Sequence, residues 1–459
     1  MAGTRIATVS GIRGLVGDGL DPSVAGDFVA AYASGQGEGP IVVGHDGRVS
    51  APIFEGAVVA ALRGCGRDVL LAGPVATPTL GRLVVDRRAA GGVQISASHN
   101  PPQYNGLKFF QPGGMVLGPV QGRAMLDRWE ARKFGWAAWD RLGRLEPIGD
   151  PDSNHLALVL GTVDVEAIRR RKFVAALDAC HGAGGRLGEA LLRALGVEAI
   201  VLGGQPDGRY EHPPEPTEAN LRRFSKVVAA MGAAIGFAQD PDADRLAIVD
   251  EAGSYIGEEL TLALAVSHRL TQVVGPVVLN LSTSRTTEDL AGRFGCPVMR
   301  TPVGEIHVVE AIQGVNAVIG GEGNGGVIDP RVGFVRDSFV AMALVLDLMA
   351  RTGEPVSSLV AALPRYSMVK DQYPRPVGTG ATPFEPSGLF DRIAATYPEA
   401  EADRRDGLRL DWADRRWAHV RVSNTEPIVR VIAEASDHAT ARSLADALGQ
   451  VVADQGGSA

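Results

Sequence analysis

Cysteine is scarce: only Cys65, Cys180 and Cys296 occur among 459 residues, and no two stand at a C-x-x-C spacing. A disulfide framework and a zinc ribbon are therefore excluded, and a reducing, cytoplasmic setting is expected. No apolar run approaches the roughly 18–20 residues of a membrane span, and the opening MAGTRIATVSGIRG lacks a signal-peptide core. Positive charge is also short, with 45 Lys and Arg against 53 Asp and Glu, a net of −8. No global field recruits nucleic acid or acidic membranes, so an anionic ligand must be held by local arginines or a metal.

What is abundant is turn chemistry, with 58 glycines and 28 prolines and no period. Many tight loops are implied, and loops commonly carry function. Hydrophobic residues at 45% and charged ones at 21% describe a folded chain. Its length spans several domains.

Short Val- and Ile-rich runs recur at Ile41–Val43, Val69–Leu71, Val93–Ile95, Val174–Leu177, Ala199–Leu202, Ala234–Phe237, Pro276–Leu279 and Ala317–Ile319. Between them, Phe54–Leu62, Leu187–Leu195, Leu260–Leu270 and Ser338–Met349 repeat apolar residues at helical spacing. Such alternation predicts α/β layers. From Tyr373 a Pro-punctuated linker to Pro386 leads into the alternating runs DGLRLDW and WAHVRVS, a small α+β domain. The expected domains are 1–150, 151–252, 253–370 and 371–459.

Four loops carry chemistry. Ile95 to Lys108, ISASHNPPQYNGLK, is a strand end that exposes a Ser hydroxyl where backbone amides and a lysine converge on an anion. A serine hydrolase does not fit, because no G-x-S-x-G elbow is present and Ser98 and His99 are adjacent. Asp240, Asp242 and Asp244 follow an apolar strand at i, i+2 and i+4, a hard oxygen site suited to Mg²⁺ or Ca²⁺. An EF-hand fails, since Arg245 stands where its loop requires Gly. Gly320 to Gly326 leaves Glu322 and Asn324 on a glycine scaffold, suited to sugar hydroxyls. Arg421, Ser423, Asn424, Thr425 and Arg430 supply donors for a phosphate. Gly11-Ile-Arg13-Gly14 places an arginine between glycines.

In this order, GIRG, SASHNPPQYNGLK, DPDADR, GEGNGG and RVSNTEPIVR resemble the α-D-phosphohexomutase superfamily over essentially the whole chain. The resemblance implies three α/β domains with mixed sheets and a smaller C-terminal α+β domain around a central cleft, each lending one loop. It implies that Ser98 is a phosphoserine and, with Asp240, Asp242 and Asp244, holds Mg²⁺. Lys108 is then the general acid/base, with His99 second and Arg245 beside them. A lowered Lys108 pKa is expected, from Arg245 or Mg²⁺. Arg13, Gly304, Glu322, Asn324, Arg421, Ser423, Asn424, Thr425 and Arg430 bind the phosphosugar. A hexose 1,6-bisphosphate serves as intermediate and activator.

Arg300-Thr-Pro-Val-Gly304-Glu305 resembles the V-G-D/E loop of phosphoglucosamine mutases, although Asn324 and Gly326 depart from G-E-x-S-G-H. The expected substrates are therefore glucosamine 6-phosphate and glucosamine 1-phosphate, handled by a monomer or homodimer. The alternatives are a phosphomannomutase/phosphoglucomutase, a leaky phosphatase and a non-catalytic sugar-phosphate-binding protein. His45-Asp46-Gly47-Arg48 differs from the family's R-D-T-R and carries no functional expectation.

Overall fold

The protein is described from a computed structural model, which covers residues 5–8, 11–376, 384–423 and 428–454. Three successive α/β domains repeat one four-stranded unit. In the first, Ile41–His45 lies between parallel neighbours Val69–Pro74 and Gly91–Ile95, and Tyr104–Phe110 runs antiparallel beside the latter. Val174–Asp178 occupies the same place between Glu198–Leu202 and Ile235–Gln239, with Leu246–Val249 antiparallel. Val277–Asn280 repeats it with Val298–Thr301, Ile319–Glu322 and the antiparallel Gly326–Ile328. The first unit is extended by Gly11–Val16, Gly19–Leu20, Arg5–Thr8 and Leu145–Pro147 into an eight-stranded mixed sheet.

Each candidate loop of these domains is the same topological element, the connection from the third strand to its antiparallel partner. It also turns in the same manner, through a left-handed residue: Ser98 at φ +50°, Ala243 at +55° and Gly325 at +82°. For Ser98 and Ala243 this is a sparsely populated conformation, of the kind that persists where surrounding contacts impose it. At Gly325 glycine is needed for space as well, because a Cβ there would lie 2.3 Å from the Leu246 carbonyl oxygen.

The second and third domains share one apolar core, which runs from Val159 to Leu363 and includes Leu177, Phe237, Leu262, Leu279 and Phe339. Its central member is the helix Ser338–Thr352, buried continuously from Ser338 to Met349 and capped by the Asp337 carboxylate on the Phe339 and Val340 amides. An apolar surface all round is what a helix needs when it is packed on every side. The C-terminal domain keeps a separate core, whereas the first domain has one core of its own and a second, around Leu80 and Phe110, that takes in Ile306 and Val335 of the third domain.

The C-terminal sheet is antiparallel, in the order Ser367–Pro374, Ile428–Ala435, Trp417–Val422, Leu408–Asp411 and Glu401–Asp403. It packs on the helices Pro386–Thr396 and His438–Asp454. The boundary expected at 370–371 falls inside its first strand, and the stretch expected as a linker begins there too. Pro374 sits at the end of this edge strand, a place where a missing N–H is tolerated. Residues 377–383 of that linker lie outside the described residues. Among the described residues, no helix is long and apolar enough to cross a membrane.

Candidate active site

The Ser98 side chain is buried, and its Oγ donates to Asp240 Oδ2 at 2.7 Å, which joins the first loop to the second. His99 Nδ1 lies 3.3 Å from the same Oγ. The Ser98 conformation is imposed from below. Its amide donates to Ser96 Oγ at 2.8 Å, and Ser96 Oγ donates to Asp46 Oδ2 at 2.7 Å. Asp46 in turn holds Arg48 Nε at 3.0 Å. The buried Arg48 guanidinium then donates to the Ser98 carbonyl and to those of Asn100, Pro101 and Tyr104 at 2.8, 2.9 and 3.0 Å. One side chain thus shapes the whole loop. The segment His45–Arg48, without a functional expectation from sequence, is its frame.

Asp240, Asp242 and Asp244 are fully buried and offer carboxylate oxygens within 4.8 Å of one another. Three such charges together need cations. Lys108 Nζ donates to Asp242 Oδ2 at 2.5 Å and to Asp244 Oδ2 at 2.9 Å, and Arg336 Nη2 donates to Asp244 Oδ2 at 2.6 Å. Thr77 Oγ1 adds a bond to Asp242 Oδ2 at 2.5 Å. Asp242 Oδ1 and Asp244 Oδ1 are buried without a hydrogen-bond partner. Oxygen donors left free in a converging acidic cluster fit a hard divalent cation such as Mg²⁺.

The ionisation of these groups follows from the packing. Burial, together with the charges of Asp242 and Asp244, pushes the Asp240 carboxyl well above its usual range. Burial opposes the charge on Asp244 too, yet Arg336, Lys108 and Arg245 hold its pKa far down. Lys108 corrects the sequence reading. Burial alone would lower its pKa, but the Asp242 and Asp244 carboxylates outweigh burial and raise it. His99 is the opposite case, held well below the histidine range by burial and by Arg245 and Arg13. It is a neutral imidazole beside the serine.

Arg13 comes to this centre because Gly11–Val16 pairs with Tyr104–Phe110, and its Nη1 donates to Asn100 Oδ1 at 3.2 Å. Arg245 Nε lies 3.8 Å from Asp244 Oδ1.

Glu322 ends the strand Ile319–Glu322, and its carboxylate is already engaged. Oε1 accepts from Asn280 Nδ2 at 2.9 Å and from the Gly304 amide at 3.0 Å, and Oε2 accepts from Arg336 Nη1 at 2.7 Å. Gly304 thus reaches the Gly320–Gly326 loop through its backbone. Asn324 turns its Oδ1 to the Gly326 amide at 3.2 Å. In the C-terminal domain, Arg421 Nε donates to Asp406 Oδ1 at 2.8 Å, and Asp406 Oδ2 accepts from the Val303 amide at 2.9 Å. Ser423 is buried and Arg430 is the strand partner of Arg421. Asn424 and Thr425 lie outside the described residues.

Polar contacts therefore cross all four domains, from Ser98 to Asp240, whose neighbour in the acidic cluster, Asp244, is bonded to Arg336, and on through Glu322, the Gly304 and Val303 amides and Asp406 to Arg421. Sequence reasoning singled out Ser98, Asp240, Asp244, Glu322, Gly304 and Arg421, and missed Arg336, Asp406, Asn280 and the Asp46–Arg48 pair behind Ser98. Arg336 immediately precedes the capping Asp337, which is the only local signal that its position is fixed.

Four family models match in order along the chain: phosphoglucomutase/phosphomannomutase α/β/α domains I, II and III over residues 4–135, 153–253 and 257–366, and the C-terminal domain over 390–450. A Thermococcus kodakarensis protein named "Phosphoglucomutase/phosphomannomutase" is 35% identical, with 94% of this chain and 95% of the relative covered. A Methanopyrus kandleri protein named "Probable phosphoglucosamine mutase" is 34% identical, with 96% of each covered. The crystal structure of a phosphoglucomutase/phosphomannomutase family protein from Burkholderia thailandensis superposes with a TM-score of 0.85 at 26% identity, covering 99% of this chain and 98% of the other. The chain belongs to the phosphoglucomutase/phosphomannomutase family of the α-D-phosphohexomutase superfamily and is a phosphohexomutase, an isomerase working by intramolecular phosphoryl transfer.

Proposed function

We propose that this phosphohexomutase interconverts glucosamine 6-phosphate and glucosamine 1-phosphate through a phosphoserine at Ser98. The observation that carries the reading is Ser98 Oγ set 2.7 Å from Asp240 at a cluster of three buried aspartates. Asp240, Asp242, Asp244 and a Ser98 phosphoryl oxygen would hold Mg²⁺. The ion would supply neutralisation of charge on the transferring phosphoryl group.

The chain's own groups do the rest. The sugar hydroxyl attacks phosphorus as the Ser98 Oγ–P bond breaks, which yields Ser98 alkoxide character and a hexosamine 1,6-bisphosphate. His99, neutral beside Ser98, takes the proton of the attacking hydroxyl. Lys108, which keeps its proton, stabilises charge on the phosphoryl oxygens with Arg245 and Arg13. The bisphosphate then turns over and returns its other phosphate to Ser98. The distal phosphate is held by Arg421, Ser423 and Arg430, joined by Asn424 and Thr425. Sugar hydroxyls are read at Glu322, Asn324 and the Gly304 backbone.

The amino-sugar preference is supported by the Gly304 loop and by relatives named as phosphoglucosamine mutases. The Thermococcus kodakarensis relative supports a phosphomannomutase/phosphoglucomutase as the second reading. A ³¹P-NMR time course with Mg²⁺ and a trace of hexose 1,6-bisphosphate separates them. Glucosamine 6-phosphate should isomerise faster than mannose 6-phosphate or glucose 6-phosphate. Preference for either neutral sugar overturns the amino-sugar assignment, and free phosphate without an isomer overturns the mutase.

A further inference from the structure

We propose a second small-molecule site, for an apolar molecule that bears an acidic group, in a cavity of about 450 Å³ at the junction of the three α/β domains. This volume lies within the roughly 300–1,000 Å³ of small-ligand pockets. The walls come from the helix Thr77–Asp86, the turn Pro112–Gly114 and the segment Pro330–Val335, and include none of the active-site side chains described above.

The lining suits an apolar body. Pro78, Val85, Pro112, Pro330 and Phe334 offer apolar faces. Between them the surface is bare peptide, because Gly81 and Gly114 are in contact: a Cβ on Gly81 would lie 2.5 Å from the Gly114 oxygen. At Gly333 a Cβ would meet nothing within 4 Å.

The charge of the lining is positive. Arg82 is paired with Asp86 and Arg331 with Asp329, whereas Arg88, exposed at the rim, has no side-chain hydrogen bond or ion pair among the described residues. Its backbone is fixed in the left-handed region at φ +48°. The one carboxylate of the lining, Asp337, is taken up by His155 Nε2 at 2.8 Å and by the amides of Phe339 and Val340. An unneutralised guanidinium beside an apolar slot selects an anion with an apolar body. The slot also abuts a contact chain through three domains, since His155 Nδ1 is 2.8 Å from Thr79 Oγ1 on its other side.

The test is a fluorescence titration of the whole protein with 8-anilinonaphthalene-1-sulfonate, whose rings and sulfonate match this description. Saturable binding at one site per chain is expected, unaffected by saturating glucose 1,6-bisphosphate with Mg²⁺. Arg88→Glu should weaken it about tenfold or more through loss of a charge-assisted contact, and Gly333→Trp should block it. Unchanged thermal midpoints confirm that both variants fold. If Gly333→Trp does not fold, Arg88→Glu decides alone. Absence of binding, displacement by the bisphosphate, or equal affinity in Arg88→Glu overturns the proposal.

Discussion

Arg336 and Asp244 are joined by a 2.6 Å charge-assisted hydrogen bond, which ties the segment after the Gly320–Gly326 loop to the last aspartate of the acidic cluster. The same guanidinium reaches Glu322 at 2.7 Å and faces Glu305, and these carboxylates raise its pKa well above the usual value despite burial. The acidic cluster and the Gly320–Gly326 loop are therefore positioned by one rigid fork.

Arg336→Met is expected to leave Glu322 and Glu305 without their cation and Asp244 with Lys108 and Arg245 alone, at a cost of about 3–5 kcal/mol in stability. Arg336→Lys keeps the charge but cannot fork between Asp244 and Glu322. It should fold and lose roughly 100-fold in kcat/KM, about 2.7 kcal/mol of transition-state stabilisation. Urea denaturation and steady-state kinetics check both, and native kinetics in Arg336→Lys would contradict the positioning role.

Lys108 occupies the Asp242 and Asp244 carboxylates that Mg²⁺ would use. Lys108→Met should therefore tighten Mg²⁺ binding, by about tenfold in Kd for one neighbouring charge removed, or ~1.4 kcal/mol. Turnover should fall by roughly 10²–10³, as for loss of one charge-stabilising donor. Isothermal titration of the two proteins with Mg²⁺ reads the first effect independently of activity. Weaker binding in the variant would contradict it.

Arg48→Ala removes the donor that four loop carbonyls share and leaves Asp46 buried without its partner. A loss of about 3–5 kcal/mol is expected. Backbone amide exchange should rise in residues 98–104 before it rises elsewhere. Uniform exchange across the first domain would show that Arg48 stabilises the fold and not the loop in particular.

This residue also shows where sequence reading stopped. The four loops were legible because each is contiguous and uses side chains with few structural roles, such as three aspartates in five residues. The repeated four-stranded unit was legible only as strand–helix alternation, since its likeness lies in topology and not in residues. Arg48 and Arg336 were not legible. Each is a single arginine acting on a loop distant in sequence, at separations of 50 and 92 residues, and only folding brings them there. Glu322 was legible as a functional carboxylate, but nothing local revealed that Asn280, Gly304 and Arg336 already hold it.

His419 gives the C-terminal domain a pH-dependent attachment. It is buried, with Nε2 donating to the Asp406 carbonyl at 2.6 Å and Nδ1 lying 2.9 Å from Ser282 Oγ, which can donate to the neutral ring. Burial pushes its pKa from 6.5 down to about 4. Between these values the unfolded chain binds a proton that the folded chain does not, so stability is present above pH 6.5 and is lost as pH falls toward 4. The full effect is about 3 kcal/mol at 1.36 kcal/mol per unit. His419→Gln should be less stable at neutral pH but show a flatter stability profile between those limits, and parallel profiles would contradict the assignment.

The central claim is that Ser98, set against Asp240, carries the phosphoryl group. The most direct measurement is intact-protein and peptide mass analysis after incubation with glucose 1,6-bisphosphate and Mg²⁺, in the native chain and in Ser98→Ala. The account predicts one phosphoryl adduct, located at Ser98, with no adduct and a loss of turnover in a normally folded Ser98→Ala. An adduct at another residue, or full activity in Ser98→Ala, would contradict it.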